Sequence, residues 1–128
     1  MPTITPIYAN LIAIVFLILS FQVIFYRRSN KSGLGDEGDK SLLKRMRAQA
    51  NCAEYVLLAL ILLLLVELSG ISGDVVHALG IALLAGRIVH GYAFSVSPPI
   101  MKGRVYGTIL TTGMMAGSAV LLLVQSVI

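Results

Sequence analysis

Charge is scarce in this chain. Only 12% of its 128 residues are Asp, Glu, Lys or Arg, 57% are hydrophobic, and the mean hydropathy is +0.89. A soluble domain carries about 25% charged residues, so the composition excludes an ordinary water-soluble protein and implies an integral membrane one. Cysteine is nearly absent too. Cys52 stands alone, which excludes an intrachain disulfide and a thiolate metal cluster; its ordinary role is a small apolar residue packed in a helix. The two histidines, His77 and His90, are too far apart on one helix to share a metal ion, no HExxH pattern occurs, and no metal site is expected. The segment before Ile7 has no Lys or Arg. No small-residue cleavage site precedes Arg27 and Arg28, so the first apolar run reads as a retained span and not as a signal peptide.

What is abundant is apolar sequence. A membrane-crossing helix needs about 20 apolar residues, and four such runs can be drawn at about 7–26, 48–69, 75–95 and 105–128. They occupy most of the chain, leaving a single membrane domain over 1–128. The short connections make neighbours antiparallel, so the fold class is an all-α membrane protein, an antiparallel four-transmembrane-helix bundle. Gly103 with Gly107, and Gly113 with Gly117, offer small residues at the four-residue spacing of close helix contacts. So thin a bundle leaves little room for a deep pocket within one subunit, which points to a site between subunits of a homo-oligomer.

Placement of charge gives topology. The first loop region holds Arg27, Arg28, Lys31, Lys40, Lys44, Arg45 and Arg47, the third holds Lys102 and Arg104, and the second holds Asp74 without a basic residue. Loops one and three are therefore expected in the cytoplasm and both termini outside. A nucleic-acid partner is not expected, because Asp36, Glu37 and Asp39 interrupt the basic loop and no aromatics are interleaved for stacking. The same acidic stretch lacks the twelve-residue pattern of a calcium loop. Asp39 is instead placed to cap a helix beginning at Lys40 and running into the second span. Ser97-Pro98-Pro99 is expected to stop the third helix.

Polar residues intrude where lipid disfavours them. A charge at the centre of a span costs roughly 2.5–3.5 kcal/mol on insertion scales, yet Arg47, Asn51, Glu54 and Tyr55 open the second span at i, i+4, i+7 and i+8, on one helix face. Arg87, His90 and Tyr92 occupy the third span. Arg104, Tyr106 and Thr108 open the fourth, with Thr111 and Thr112 a turn further on. Each has a structural account. Glu54 could pair with Arg87, Asn51 could bridge helices, and Arg47 could snorkel. Arg104 could be an anchor at the membrane surface, His90 a packing residue, and Tyr55 and Tyr92 interface aromatics. Together they place hydrogen-bonding groups of three helices at one depth, and a shared polar, anionic ligand accounts for that.

These residues carry a resemblance. Arg47-Ala48-Gln49-x-Asn51-x-x-Glu54-Tyr55, Gly86-Arg87-x-x-His90, and Arg104 with Gly107-Thr108 are similar, in order and spacing, to the MAPEG family, membrane-associated proteins in eicosanoid and glutathione metabolism. Gly35-Asp36-x-Gly38-Asp39 resembles its bacterial members. The resemblance implies a homotrimer in a bacterial inner membrane, with glutathione as cosubstrate between neighbouring subunits near the cytoplasmic face. It implies that Arg47, Asn51, Glu54, Tyr55 and Tyr92 bind the tripeptide, with Arg87 and His90 beside them. Arg28 (or Arg27) and Gln49 would approach from the adjacent subunit, and Arg104 would activate the thiol. Ile88 and Leu57 depart from the family pattern, standing where some members have tyrosine and proline.

The chemistry is consistent with this. Arginines match carboxylates through bidentate, charge-assisted hydrogen bonds, and a cation beside sulfur favours the thiolate nucleophile. The expected function is a glutathione-dependent transferase or peroxidase acting on a hydrophobic small molecule that arrives from membrane lipid. Two other classes fit the same residues. One is a non-catalytic lipid- or glutathione-binding protein of the same fold. The other is a small multidrug-type transporter, which would need Glu54 accessible from both sides and not set among arginines.

Overall fold

The structure, a computed structural model, describes residues 1–96 and 98–128. Among these residues the chain forms four helices and no strand: α1 (Thr5–Asn30), α2 (Lys40–Leu68), α3 (Gly73–Ser95) and α4 (Met101–Val127). All four are long and apolar enough to cross a membrane. Even α3, the shortest at 23 residues, spans about 34 Å at about 1.5 Å per residue, enough for a hydrocarbon core of about 30 Å. The short connections turn the chain back each time, so consecutive helices run antiparallel.

The helices outrun their apolar segments, because a helix ends where its caps are and not where the lipid is. α1 continues past Tyr26 through Arg27 and Arg28 to Asn30, its basic last turn matching the negative end of the helix dipole. α2 starts eight residues before the apolar run, at Lys40, and Asp39 caps it as the sequence suggested. Its Oδ1 accepts from the backbone N–H of Ser41 (2.9 Å) and Leu42 (3.2 Å). The other carboxylate oxygen accepts from the Tyr26 hydroxyl at 2.6 Å, tying the end of α1 to the start of α2. That hydrogen bond holds the Asp39 carboxyl below its ordinary value; the Leu42 and Ser41 N–H groups act in the same sense, against partial desolvation. α3 ends at Ser95 and leaves the helical conformation at Val96, two residues before Pro98. Ser97, to which the expected stop was partly assigned, lies outside the described residues.

At the opposite end of the bundle Glu67 serves as a cap in trans. Its carboxylate accepts from the backbone N–H of Thr3 (3.2 Å), Ile4 (2.7 Å) and Thr5 (2.9 Å). The residue preceding α1, Ile4, has no capping side chain of its own, and the carboxylate satisfies N–H groups that a helix start leaves open. Tyr8 and His77 join α1 to α3 nearby, hydroxyl to Nδ1, at 2.8 Å.

α2 and α3 form the middle of the bundle, each touching the other three helices, while α1 and α4 flank them without touching each other. The α3–α4 contact is the most extensive, and glycine makes it possible. A Cβ on Gly107 would lie 2.6 Å from His90 Cβ and 2.7 Å from the Gly86 carbonyl oxygen; one on Gly103 would lie 2.5 Å from Ala93 Cβ. The second glycine pair behaves differently from the expectation. A Cβ on Gly113 would meet nothing within 4 Å, and one on Gly117 only Leu79, at 3.9 Å. At about 100° per residue, Gly113 lies roughly 120° around α4 from Gly107. The face that continues from Gly107 is Thr111, Met114 and Ser118, and all three are buried.

The apolar core has two parts. Tyr8, Ile12, Ala59, Leu63, Val66, Val76, Leu83 and Met114 fill the end near Glu67. Leu19, Ala48 and Cys52 fill the end near the basic loops. Large apolar side chains cover the outside of every helix, among them Phe25, Leu57, Ile81 and Leu123, as lipid contact requires. Between the second core and the membrane surface the packing becomes polar, and there the groove opens.

Candidate ligand groove between α2, α3 and α4

Arg47, Asn51, His90 and Arg104, from three helices, line one open groove of about 390 Å³, together with Phe94, Met101, Val105, Thr108 and Ile109. The hollow exists because the Gly86–Gly107 and Gly103–Ala93 contacts hold α4 tightly against α3, while Arg47 and Asn51 stand across from both on α2. Its lining holds two arginines, an amide and an imidazole, and no Asp or Glu side chain. Such a surface suits an anion with hydrogen-bonding groups.

The polar face of α2 divides. With about 100° per residue, Arg47 and Glu54 point within roughly 20° of each other, and Asn51 and Tyr55 lean roughly 40° and 80° toward the core side. Accordingly Arg47 Nη1 and Glu54 Oε1 form a loose, half-exposed pair at 3.9 Å. Asn51 reaches inward to Arg87, whose Nη1 donates to Asn51 Oδ1 at 2.7 Å. The Arg87 guanidinium also lies 5.6 Å from the Tyr55 ring centre. The alternative in which Glu54 pairs with Arg87 does not hold: Arg87 is buried among neutral acceptors, its Nε donating to Thr111 Oγ1 at 2.9 Å, and Glu54 faces outward beside Arg47.

Arg104 extends from the first turn of α4 with its guanidinium 4.1 Å above the centre of the Phe94 ring, and Phe94 in turn packs against His90. Stacking holds the cation at the groove wall without consuming its donors. Thr108 lines the groove but gives its hydroxyl proton to the Arg104 carbonyl. Thr112 faces outward.

Other sequence candidates lie elsewhere. Tyr92, 65% exposed, points from the opposite side of α3 into an apolar groove between α1 and α3 that also holds Gln22 and Ser95. Arg28 is exposed at the end of α1, and Arg27 donates to Met46 Sδ. Gln49 is half-buried on α2 and Tyr106 is exposed on α4; neither lines the groove.

Residues 5–124 match the MAPEG family. The chain belongs to the MAPEG family. It is similar to the inner membrane protein YecN of Escherichia coli, from strains K12 and O6:H1, at 36% identity over 91 residues, covering 71% of this chain and 70% of either relative. No solved structure matches it. This MAPEG chain is an integral inner-membrane protein with four spans.

Two features in and behind the groove escaped the sequence. Phe94, the platform of Arg104, reads in sequence as one more apolar residue; its signal was the four-residue spacing from His90. Thr111 was visible only as a threonine one turn beyond Thr108. Its role as a buried acceptor for Arg87 needs the α3–α4 crossing, which brings together residues 24 apart in sequence.

Proposed function

We propose that this protein is a glutathione-dependent transferase or peroxidase of the inner membrane, acting on hydrophobic electrophiles. The observation that carries the reading is the convergence of Arg47, Asn51, His90 and Arg104 on one groove with no acidic side chain in its lining. Glutathione has two carboxylates, one ammonium and a thiol. Arg47 and the Asn51 amide bind carboxylate oxygens, and Glu54, two turns beyond Arg47 on the same face, takes the ammonium. Arg104 lies beside the sulfur and favours its thiolate over the thiol. The groove's apolar margin of Met101, Val105 and Ile109 admits an electrophile from lipid.

In the transferase reaction the thiolate sulfur attacks an electrophilic carbon, a carbon–sulfur bond forms, the leaving group departs with its electron pair, and the thiol proton goes to water. In the peroxidase reaction two glutathione molecules reduce one hydroperoxide to an alcohol and water and become the disulfide. Holding two poorly co-soluble reactants in one site contributes several kcal/mol to either. The working unit is a homotrimer with loops one and three in the cytoplasm. Arg28, Gln49 and Tyr92, which the groove of one subunit does not include, join the ligand across a subunit boundary.

The test uses purified protein in detergent with glutathione and either chlorodinitrobenzene or a lipid hydroperoxide. Turnover is expected, and Arg104→Ala is expected to lower kcat about 100-fold, in line with loss of one electrostatic contact to a developing charge, with glutathione binding largely kept. Absence of turnover across a broad electrophile panel, with glutathione bound, identifies a binding protein and overturns the enzyme reading.

A further inference from the structure

Arg87 is the largest fully buried side chain in the protein, 1% exposed, and its charge is not neutralised. Among the described residues Arg47–Glu54 is the sole ion pair. The other acids stand far along the chain from Arg87's neighbours: Asp36, Glu37 and Asp39 in the first loop, Glu67 on the α1 start, and Asp74 in the first turn of α3. Arg87 is held by Thr111 and Asn51, both neutral, and its Nη2 has no hydrogen-bond partner. Thr111 is committed: its hydroxyl proton goes to the Gly107 carbonyl oxygen at 2.9 Å while its oxygen accepts from Arg87. Asn51 is not. An arginine only donates, so the atom of Asn51 that meets Nη1 must be the carbonyl oxygen. The amide nitrogen is then the polar atom Asn51 has left for the groove it lines, and among the described residues that nitrogen has no acceptor.

We propose that Arg87 is a positioning residue whose buried charge locks Asn51 as an amide donor, and that a carboxylate of the groove's ligand supplies the missing counter-charge. A buried cation without an anion is costly, and the ligand relieves that cost through one intervening amide. Asn51 cannot rotate to present its oxygen, because the rotation would set NH₂ against guanidinium. The groove therefore selects an anionic acceptor and rejects a cationic or donor group at that position. The identity of the anion as glutathione rests on the function proposed above; the selection for a carboxylate does not.

The test is Asn51→Asp, compared with wild type in full-length protein in detergent. The probes are glutathione, the thiol-free dicarboxylate glutarate, and glutaramide, its neutral diamide. A carboxylate at position 51 gives Arg87 its counter-charge and turns the groove donor into an acceptor. Ligand-free thermal stability is expected to rise by several degrees while the midpoint shifts produced by glutathione and glutarate disappear, an affinity loss of about tenfold or more; glutaramide shifts neither protein. A role confined to bridging helices predicts higher stability with unchanged ligand shifts, and that result overturns the proposal. So does an Asn51→Asp protein that is less stable or fails to fold, because a carboxylate set against the buried, unneutralised Arg87 must stabilise. Wild type silent to glutathione but shifted by glutarate, with the shift lost in Asn51→Asp, overturns glutathione as the ligand and supports the selection for a carboxylate. Wild type silent to both anions overturns both readings.

Discussion

Replacing Gly107 with alanine would put a methyl carbon 2.6 Å from His90 Cβ, 2.7 Å from the Gly86 carbonyl oxygen and 2.8 Å from the His90 backbone nitrogen. Carbon–carbon contact is comfortable at about 3.5–4.0 Å, so α3 and α4 must part by about 1 Å. Two of the three obstacles are backbone atoms, and no rotamer change removes them. Overpacking of this kind costs about 1–3 kcal/mol. The same displacement moves Arg104, one turn earlier on α4, away from His90 on α3, and a misplacement of about 1 Å at reacting groups can cost about 100-fold in rate. Gly113→Ala is the control, since it meets nothing within 4 Å and gains helix propensity. Thermal unfolding in detergent and glutathione turnover should both fall in Gly107→Ala and stay at or above wild type in Gly113→Ala. Equal behaviour of the two variants would refute the assignment of Gly107 to the α3–α4 contact.

Two further outcomes follow from the helix caps. The Asp39 carboxyl titrates below its ordinary value because Tyr26 donates to it, so the stabilisation it lends the α1–α2 connection is complete above the unfolded-state value near 3.8 and is lost as pH falls through the lower folded-state value. The thermal midpoint of wild type should therefore drop relative to Asp39→Asn only below about pH 4, and a loss centred above pH 5 would contradict the assignment. Glu67→Ala removes the acceptor for three backbone N–H groups at the start of α1 and is expected to cost about 1 kcal/mol; amide hydrogen exchange should quicken at Thr3, Ile4 and Thr5 while the groove end of the bundle keeps its protection.

Sequence alone determined the class of this molecule, because a chain with so little charge and four long apolar runs has no soluble alternative. It also located the start of α2, since Asp39 followed by Lys40 and Ser41 is a local signal read without reference to any other helix. Arg47, Asn51, His90 and Arg104 were legible as a group for a similar reason: each is an exception to the apolar rule at a similar depth in its span. Other assignments depended on how the helices are rotated against each other, which composition and spacing do not specify. Glu54 and Asn51 are three residues apart on the same helix, yet one faces outward and the other inward. Gly113 has the same four-residue spacing to Gly117 as Gly103 to Gly107, but its side of α4 faces open space. Tyr92 is two residues from His90 and points to the other side of α3. Only the α3–α4 crossing brings Thr111 to Arg87, and only the lack of an acid against Arg87 among the described residues leaves it unneutralised. Sequence states which charges exist; tertiary structure decides which of them meet, because a rotation of a few tens of degrees about a helix axis exchanges a partner for lipid.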